Sequence, residues 1–210
     1  MDGFRLNGTF RWARHHWPWV FGGALWLIAV GAGMGSLWTY ALTAGPQPEP
    51  SAAWPIQSRL SRVSGRATLV MFAHPLCPCT RTSLEELGLI AARTQGRLTA
   101  HVVFSGVAQT LGVPGSSLRD LAASIPGVRV FVDPEGREAG AFGVVTSGHT
   151  MLYDAGGRML FTGGITAARG HAGDNPGRSA VVNLVNGAPG VVRRRTSVFG
   201  CIMLDRPVRG

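Results

Sequence analysis

Lysine is missing altogether. All 20 basic residues are arginine, set against 11 acidic ones for a formal charge of +9, and 30 glycines accompany them, which reads as the coding bias of a GC-rich genome. The arginines are scattered and only Arg193-Arg194-Arg195 form a run, so the basic balance is no nucleic-acid footprint and nucleic acid is not expected as a partner. Cysteine is scarce: three residues are too few for a disulfide scaffold, and the odd count leaves one thiol over. No internal repeat is apparent, which argues against a solenoid or propeller. Formal charge is absent from Trp17 through Pro48.

That uncharged stretch is the first thing present. Its apolar centre, Trp19 to Trp38, is about 20 residues long, enough at about 1.5 Å per residue to cross about 30 Å of hydrocarbon. Trp12, Trp17 and Trp19 flank one end and Trp38 and Tyr40 the other, as interfacial residues would. Arg5, Arg11 and Arg14 all precede the span, so the positive-inside rule predicts residues 1–16 in the cytoplasm, a transmembrane helix over 17–43 and everything later across the membrane. A cleaved signal peptide shares the basic start, but the apolar region is longer than such peptides carry and Ala41-Leu42-Thr43-Ala44 is a poor cleavage site, so a retained inner-membrane anchor is favoured. Gly22, Gly23, Gly31, Gly33 and Gly35 would let a second helix approach closely, and a homodimer is a possible consequence.

Residues 44–58 are Pro-rich and read as an extended linker. Residues 59–190 are long enough for one α/β domain, and 191–210 form a basic tail containing Cys201. Within the domain, Ala67–Phe72 is a nearly continuous apolar run, as in a strand covered on both faces. Leu84, Leu87, Ile90 and Ala91 share one helical face, and the spacings Thr82–Glu85 and Ser83–Glu86 fit a capping box near the helix start. Strands follow over 98–104 and 128–132, with a short helix over 117–125 between them and a Gly/Pro/Ser-rich connection before it. Another short helix is expected over 135–142, then a hairpin of 150–153 with 159–161 turning at Asp154-Ala155-Gly156-Gly157, and a last helix over 179–185. Strands alternating with helices and closed by a hairpin predict an α/β fold with a mixed sheet.

Between the first strand and first helix lies His74-Pro75-Leu76-Cys77-Pro78-Cys79-Thr80. A thiolate is the nucleophile of disulfide exchange, and a helix N-terminus favours that anion, so Cys77 and Cys79 are the candidate catalytic pair. Cys77 is expected as the exposed attacking thiol and Cys79 as the resolving one, although the order can be reversed. A disulfide between them would close a small, strained and hence oxidising ring. Copper or zinc binding and delivery is the rival from another class, with His74 and His149 joining the two thiols. The bland alternative is a pair of small core residues. Thiol exchange is the reading adopted, with a protein thiol or disulfide as partner and neither cofactor nor bound metal required. His171 and Asp174 sit in a loop that is either a turn held by Asp174 and Asn175 or a source of a base facing the cysteines. Cys201 is left as a spare thiol, an intermolecular site, or a third thiol folding back to Cys77 or Cys79.

The element order, with Pro78-Cys79 at the end of the first strand, resembles the thioredoxin-like superfamily over about residues 60–190. More narrowly, His74–Cys79, Thr146-Ser147-Gly148-His149, Gly163-Gly164, Arg169–Asn175 and Phe199-Gly200-Cys201 look like the membrane-anchored bacterial RedB proteins. The resemblance implies a thiol-disulfide oxidoreductase on the periplasmic side, with Pro78, Ser147, Gly148 and His149 lining the substrate site. Two departures stand out. Where the family has Cys-x-Pro-Cys, Leu76 takes the place of the first cysteine, and Gly148 falls where the family has a cis-proline.

Overall fold

A computed structural model describes residues 7–105, 117–190 and 192–203. The Gly/Pro/Ser-rich connection over 106–116 and Arg5 lie outside the described residues. Two compact units divide at Ala41/Leu42.

The first unit is a helix, α1, Asn7–Leu42. Its segment Trp17–Leu42 is long and apolar enough to cross a membrane, and none of its most apolar window is buried. Large apolar side chains point outward all round it, among them Trp19, Leu25, Trp26, Ile28 and Trp38. A helix apolar on every face over this length fits a single-pass anchor or a signal segment.

The second unit is a five-stranded mixed sheet flanked by helices, in the order β3-β2-β1-β4-β5. Its elements are β1 (Ala67–Ala73), α2 (Cys79–Thr94), β2 (Leu98–Ser105), α3 (Ser117–Ser124), β3 (Val128–Asp133), α4 (Arg137–Ala141), β4 (Thr150–Tyr153), β5 (Met159–Gly163) and α5 (Pro176–Asn186). β1 runs parallel to β2 and β2 to β3, while β4 pairs antiparallel with both β1 and β5. This is the mixed α/β sheet expected from the sequence, and its topology is thioredoxin-like.

β1 is central, so both of its faces are buried, and side-chain alternation divides them between two cores. Leu69, Met71 and Ala73 pack with Leu84, Leu87 and Ile90 of α2 and Val181 of α5. Val70 and Phe72 pack on the other face with Val103, Phe142, Met151 and Tyr153. Trp54 covers that second core edge-on to Phe142 and Tyr153. Its segment, expected as a linker, is extended as the prolines require but lies along the domain: Trp54 N–H donates to Gly157 O, Met159 N–H to Ala52 O, and Thr146 Oγ1 to Pro46 O.

The last described stretch is pinned as well. Residues 194–197 run along the outer edge of β5, with Thr162 N–H donating to Arg194 O and Thr196 N–H to Thr162 O. The chain then crosses Gly163-Gly164 and meets the loop before β4, where Ser147 N–H donates to Cys201 O and Met203 N–H to Val145 O. Glycine is needed at the crossing, because a Cβ on Gly163 or Gly164 would strike the backbone of Thr196 or Ser197. Val198 and Met203 are buried.

Candidate functional site

The cysteine loop leaves the carboxyl end of β1 and is folded by its own backbone. Cys77 N–H donates to His74 O and Thr80 N–H to Cys77 O, so the chain turns twice and enters α2 at Cys79. Pro78 caps the helix with φ already near the helical value, and no side chain caps it. Thr82 and Ser83 are therefore inside the helix; Ser83 Oγ donates to Cys79 O, and the expected capping box is not formed.

Opposite the loop stands Thr146-Ser147-Gly148. Ser147 Oγ accepts from His74 N–H at 2.9 Å and lies 3.2 Å from Thr80 Oγ1. Gly148 has φ +85 with a trans peptide, and its N–H donates to Phe72 O of β1. The left-handed φ suits glycine, and it lets this loop bond the end of β1 and face the cysteines.

Three thiols meet here. Cys77 Sγ lies 3.2 Å from Cys201 Sγ, and Cys79 also interacts with Cys77. Burial alone would raise the Cys77 thiol, but donors outweigh it: the Cys201 N–H and thiol, the Cys79 N–H and the Ser147 hydroxyl hold it below the ordinary cysteine value. Cys79 is pushed up by burial and by the neighbouring Cys77 charge, against a smaller opposing pull from Arg169 and the Gly170 N–H. Cys201 is pushed up to about 11 by burial and by donating to Cys77. One of the three is thus favoured as thiolate and the other two as thiols.

The expectation of an exposed Cys77 is corrected. Its residue is 1% exposed, because the tail carrying Cys201 lies beside it, and the outward position belongs to Leu76 at 67%. Cys79 is buried too, Pro78 is exposed and Cys201 is intermediate.

His149, expected to line the substrate site, turns into the protein. It is fully buried, and its Nε2 pairs with Thr162 Oγ1 of β5 at 2.8 Å. Burial and the Arg195 charge lower its pKa to about 4. Because the folded value lies below the unfolded one, the unfolded chain takes up the proton first as pH falls. Stability is therefore expected to drop by up to about 3 kcal/mol between about pH 6.5 and about pH 4. Urea unfolding at pH 7 and pH 4.5 checks this, and a His149→Gln protein should lose most of that dependence.

The loop over 169–175 is held by Glu86 of α2, which accepts from Gly173 N–H, Asn175 Nδ2 and Arg178 Nη1. Asn175 caps α5 by accepting from Arg178 N–H, and Asp174 pairs with Arg178 rather than with His171. His171 is exposed and bonds Arg169 O, so the turn reading of this loop is the one observed. The part of it that acts on the cysteines is Arg169, whose Nη1 donates to Gly200 O at 2.6 Å and whose charge favours the Cys79 and Cys201 thiolates. From sequence, Arg169 stood only within its loop motif and Glu86 only as a capping residue, so neither role was foreseen. Among the described residues, no group of three or more His, Cys, Asp or Glu is placed to hold a metal ion.

No protein-family model matches the chain, and no curated protein matches it. Solved structures do. An uncharacterized conserved protein from Geobacillus kaustophilus is 20% identical with a TM-score of 0.57, covering 80% of this chain and 95% of its own. A hypothetical protein from Sinorhizobium meliloti is 22% identical at 0.56, covering 78% and 94%. An exposed lipoprotein thioredoxin from Streptococcus pneumoniae aligns more loosely, 18% identical at 0.41, covering 59% and 86%. At these identities the likeness is one of fold alone.

Proposed function

We propose that the protein is a membrane-anchored thiol-disulfide oxidoreductase of the RedB type, exchanging disulfides with protein partners outside the cytoplasm. The carrying observation is the thiol cluster at the β1–α2 junction, with Cys77 Sγ 3.2 Å from Cys201 Sγ and the Cys77 thiol held below the ordinary cysteine value by the polar groups of Cys201, Cys79 and Ser147. Exchange needs a stabilised thiolate within reach of a second sulfur, and needs no cofactor. Cys77 is the stabilised thiolate of this reading. Cys79, whose thiol is raised, is held protonated at the helix start. Of the residues expected to line the substrate site, only Pro78 is exposed for a partner to meet; Ser147 and Gly148 are buried beneath it and act on the cysteine loop from inside.

The apolar Trp17–Leu42 segment supports the anchor, and the arginines before it support a cytoplasmic N-terminus. A tether of this kind keeps the domain at the membrane surface, where exported partners arrive. Full-length protein made in a bacterial host should sediment with membranes, and its domain should be cut by protease added outside spheroplasts. Protection of the domain in intact spheroplasts contradicts the topology.

The chemical reading is tested with detergent-solubilised protein and a peptide bearing a fluorescence-quenched disulfide. Cleavage should be catalytic in the presence of dithiothreitol and should require Cys77. A rate no greater than that of dithiothreitol alone would overturn the reading.

A further inference from the structure

We infer that Cys201 is the disulfide partner of Cys77, so that the redox-active bond joins the β1–α2 loop to the C-terminal tail instead of closing within Cys77-Pro78-Cys79. The inference deepens the proposed exchange activity and rests on it.

Placement of Cys201 is over-determined by contacts that owe nothing to its sulfur. Its carbonyl accepts from Ser147 N–H at 2.9 Å, Met203 N–H two residues on donates to Val145 O at 2.8 Å, and Thr146 and Ile202 form an antiparallel bridge. Gly200 O accepts from Arg169. Gly200 itself lies so close to Ser147 O that any Cβ would collide with it. Val198 and Met203 bury their side chains on either side. A short antiparallel pairing therefore sets the sulfur of Cys201 beside that of Cys77, across 124 positions of sequence.

Burial then decides which sulfur an outside thiol meets. Cys77 is 1% exposed and Cys201 is half-buried. In the oxidised protein a partner thiolate attacks Cys201 Sγ, the Cys77–Cys201 bond breaks, and Cys77 departs as a thiolate held by the Ser147 hydroxyl and the Cys79 and Cys201 N–H groups. The second thiolate of the partner attacks its own sulfur in the mixed disulfide, forming the partner disulfide and releasing Cys201, which takes up a proton. Two electrons pass from a protein dithiol to this chain. In the reverse direction the Cys201 thiolate attacks the partner disulfide and releases one partner thiolate. The Cys77 thiolate then attacks Cys201 Sγ, re-forming the Cys77–Cys201 bond and releasing the second partner thiolate, so the partner is reduced by two electrons. Cys79 is not consumed in either direction.

Disulfide mapping tests the assignment. Full-length protein in detergent is equilibrated with glutathione disulfide, its free thiols are alkylated, and the unreduced digest is read by mass spectrometry. The expected result is a Cys77–Cys201 cross-link in both wild-type and Cys79→Ser protein, and a fall of about tenfold or more in peptide-disulfide turnover for Cys201→Ser. A Cys77–Cys79 link with Cys201 alkylated overturns the inference and leaves the exchange function standing. Undiminished turnover in Cys201→Ser does the same. Three alkylated cysteines at every glutathione ratio, with no turnover, overturn both.

Discussion

Replacing Cys77 by serine is expected to lower peptide-disulfide turnover by at least about 100-fold, to the rate of dithiothreitol alone. Serine keeps the volume and accepts the same hydrogen bonds, so the fold should survive, but its hydroxyl is not ionised near neutral pH. The polar groups that single out Cys77 are the Ser147 hydroxyl and the N–H groups of Cys79 and Cys201, and they stabilise negative charge at one sulfur only. Cys79→Ser should be far milder, because Cys79 is pushed away from the thiolate by burial and by the Cys77 charge. Equal losses from the two replacements would mean that Cys79 reacts as well, which the burial and hydrogen bonding at the site do not favour. Circular dichroism on each variant separates lost chemistry from lost fold.

Glu86→Gln is expected to destabilise the domain by roughly 3–5 kcal/mol. Glu86 is 1% exposed and Arg178 3%, and they pair at 2.5 Å. Glutamine preserves the shape and leaves Arg178 buried beside no full countercharge within the core, its other partner Asp174 being exposed to solvent. The substitution also weakens the acceptor for Gly173 N–H and Asn175 Nδ2, which hold the loop that brings Arg169 and Gly170 to the thiols. Urea unfolding measures the first effect. A change below about 1 kcal/mol would show the pair to be dispensable.

The central strand and first helix of the domain were legible because their patterns are local. Residues 67–72 form an apolar run interrupted only by Thr68, and the 3.6-residue spacing of Leu84, Leu87 and Ile90 needs no tertiary information to be read. The hairpin announced itself through Asp154 and two glycines. Pro78-Cys79 located the site, and the superfamily resemblance placed Thr146-Ser147-Gly148 opposite it, where the structure has them.

What stayed hidden was long-range. Cys201 lies in a tail without hydrophobic periodicity, paired to strand edge and loop through backbone groups that every sequence possesses, so folding back to Cys77 stood only as one of three alternatives with no pattern to choose it. The signals available were Gly163, Gly164 and Gly200, each set where two backbones touch. Glu86 was misread because its spacing from Ser83 imitates a capping box, whereas the helix begins at Cys79 and frees Glu86 to bind Arg178. The prolines of residues 46–55 correctly indicated extended backbone, but extended backbone also serves to lie along a domain, as Ala52 and Trp54 do. His149 was grouped with its loop neighbours, although it takes the inward direction at the start of β4 and pairs with Thr162.

The most direct test of thiol-disulfide exchange at this cluster is a redox titration of the full-length protein in detergent, counting free thiols across a series of glutathione and dithiothreitol ratios. The account predicts a single two-electron transition in which the three free thiols of the reduced chain fall to one, and its disappearance in Cys77→Ser. Three free thiols at every potential would contradict it.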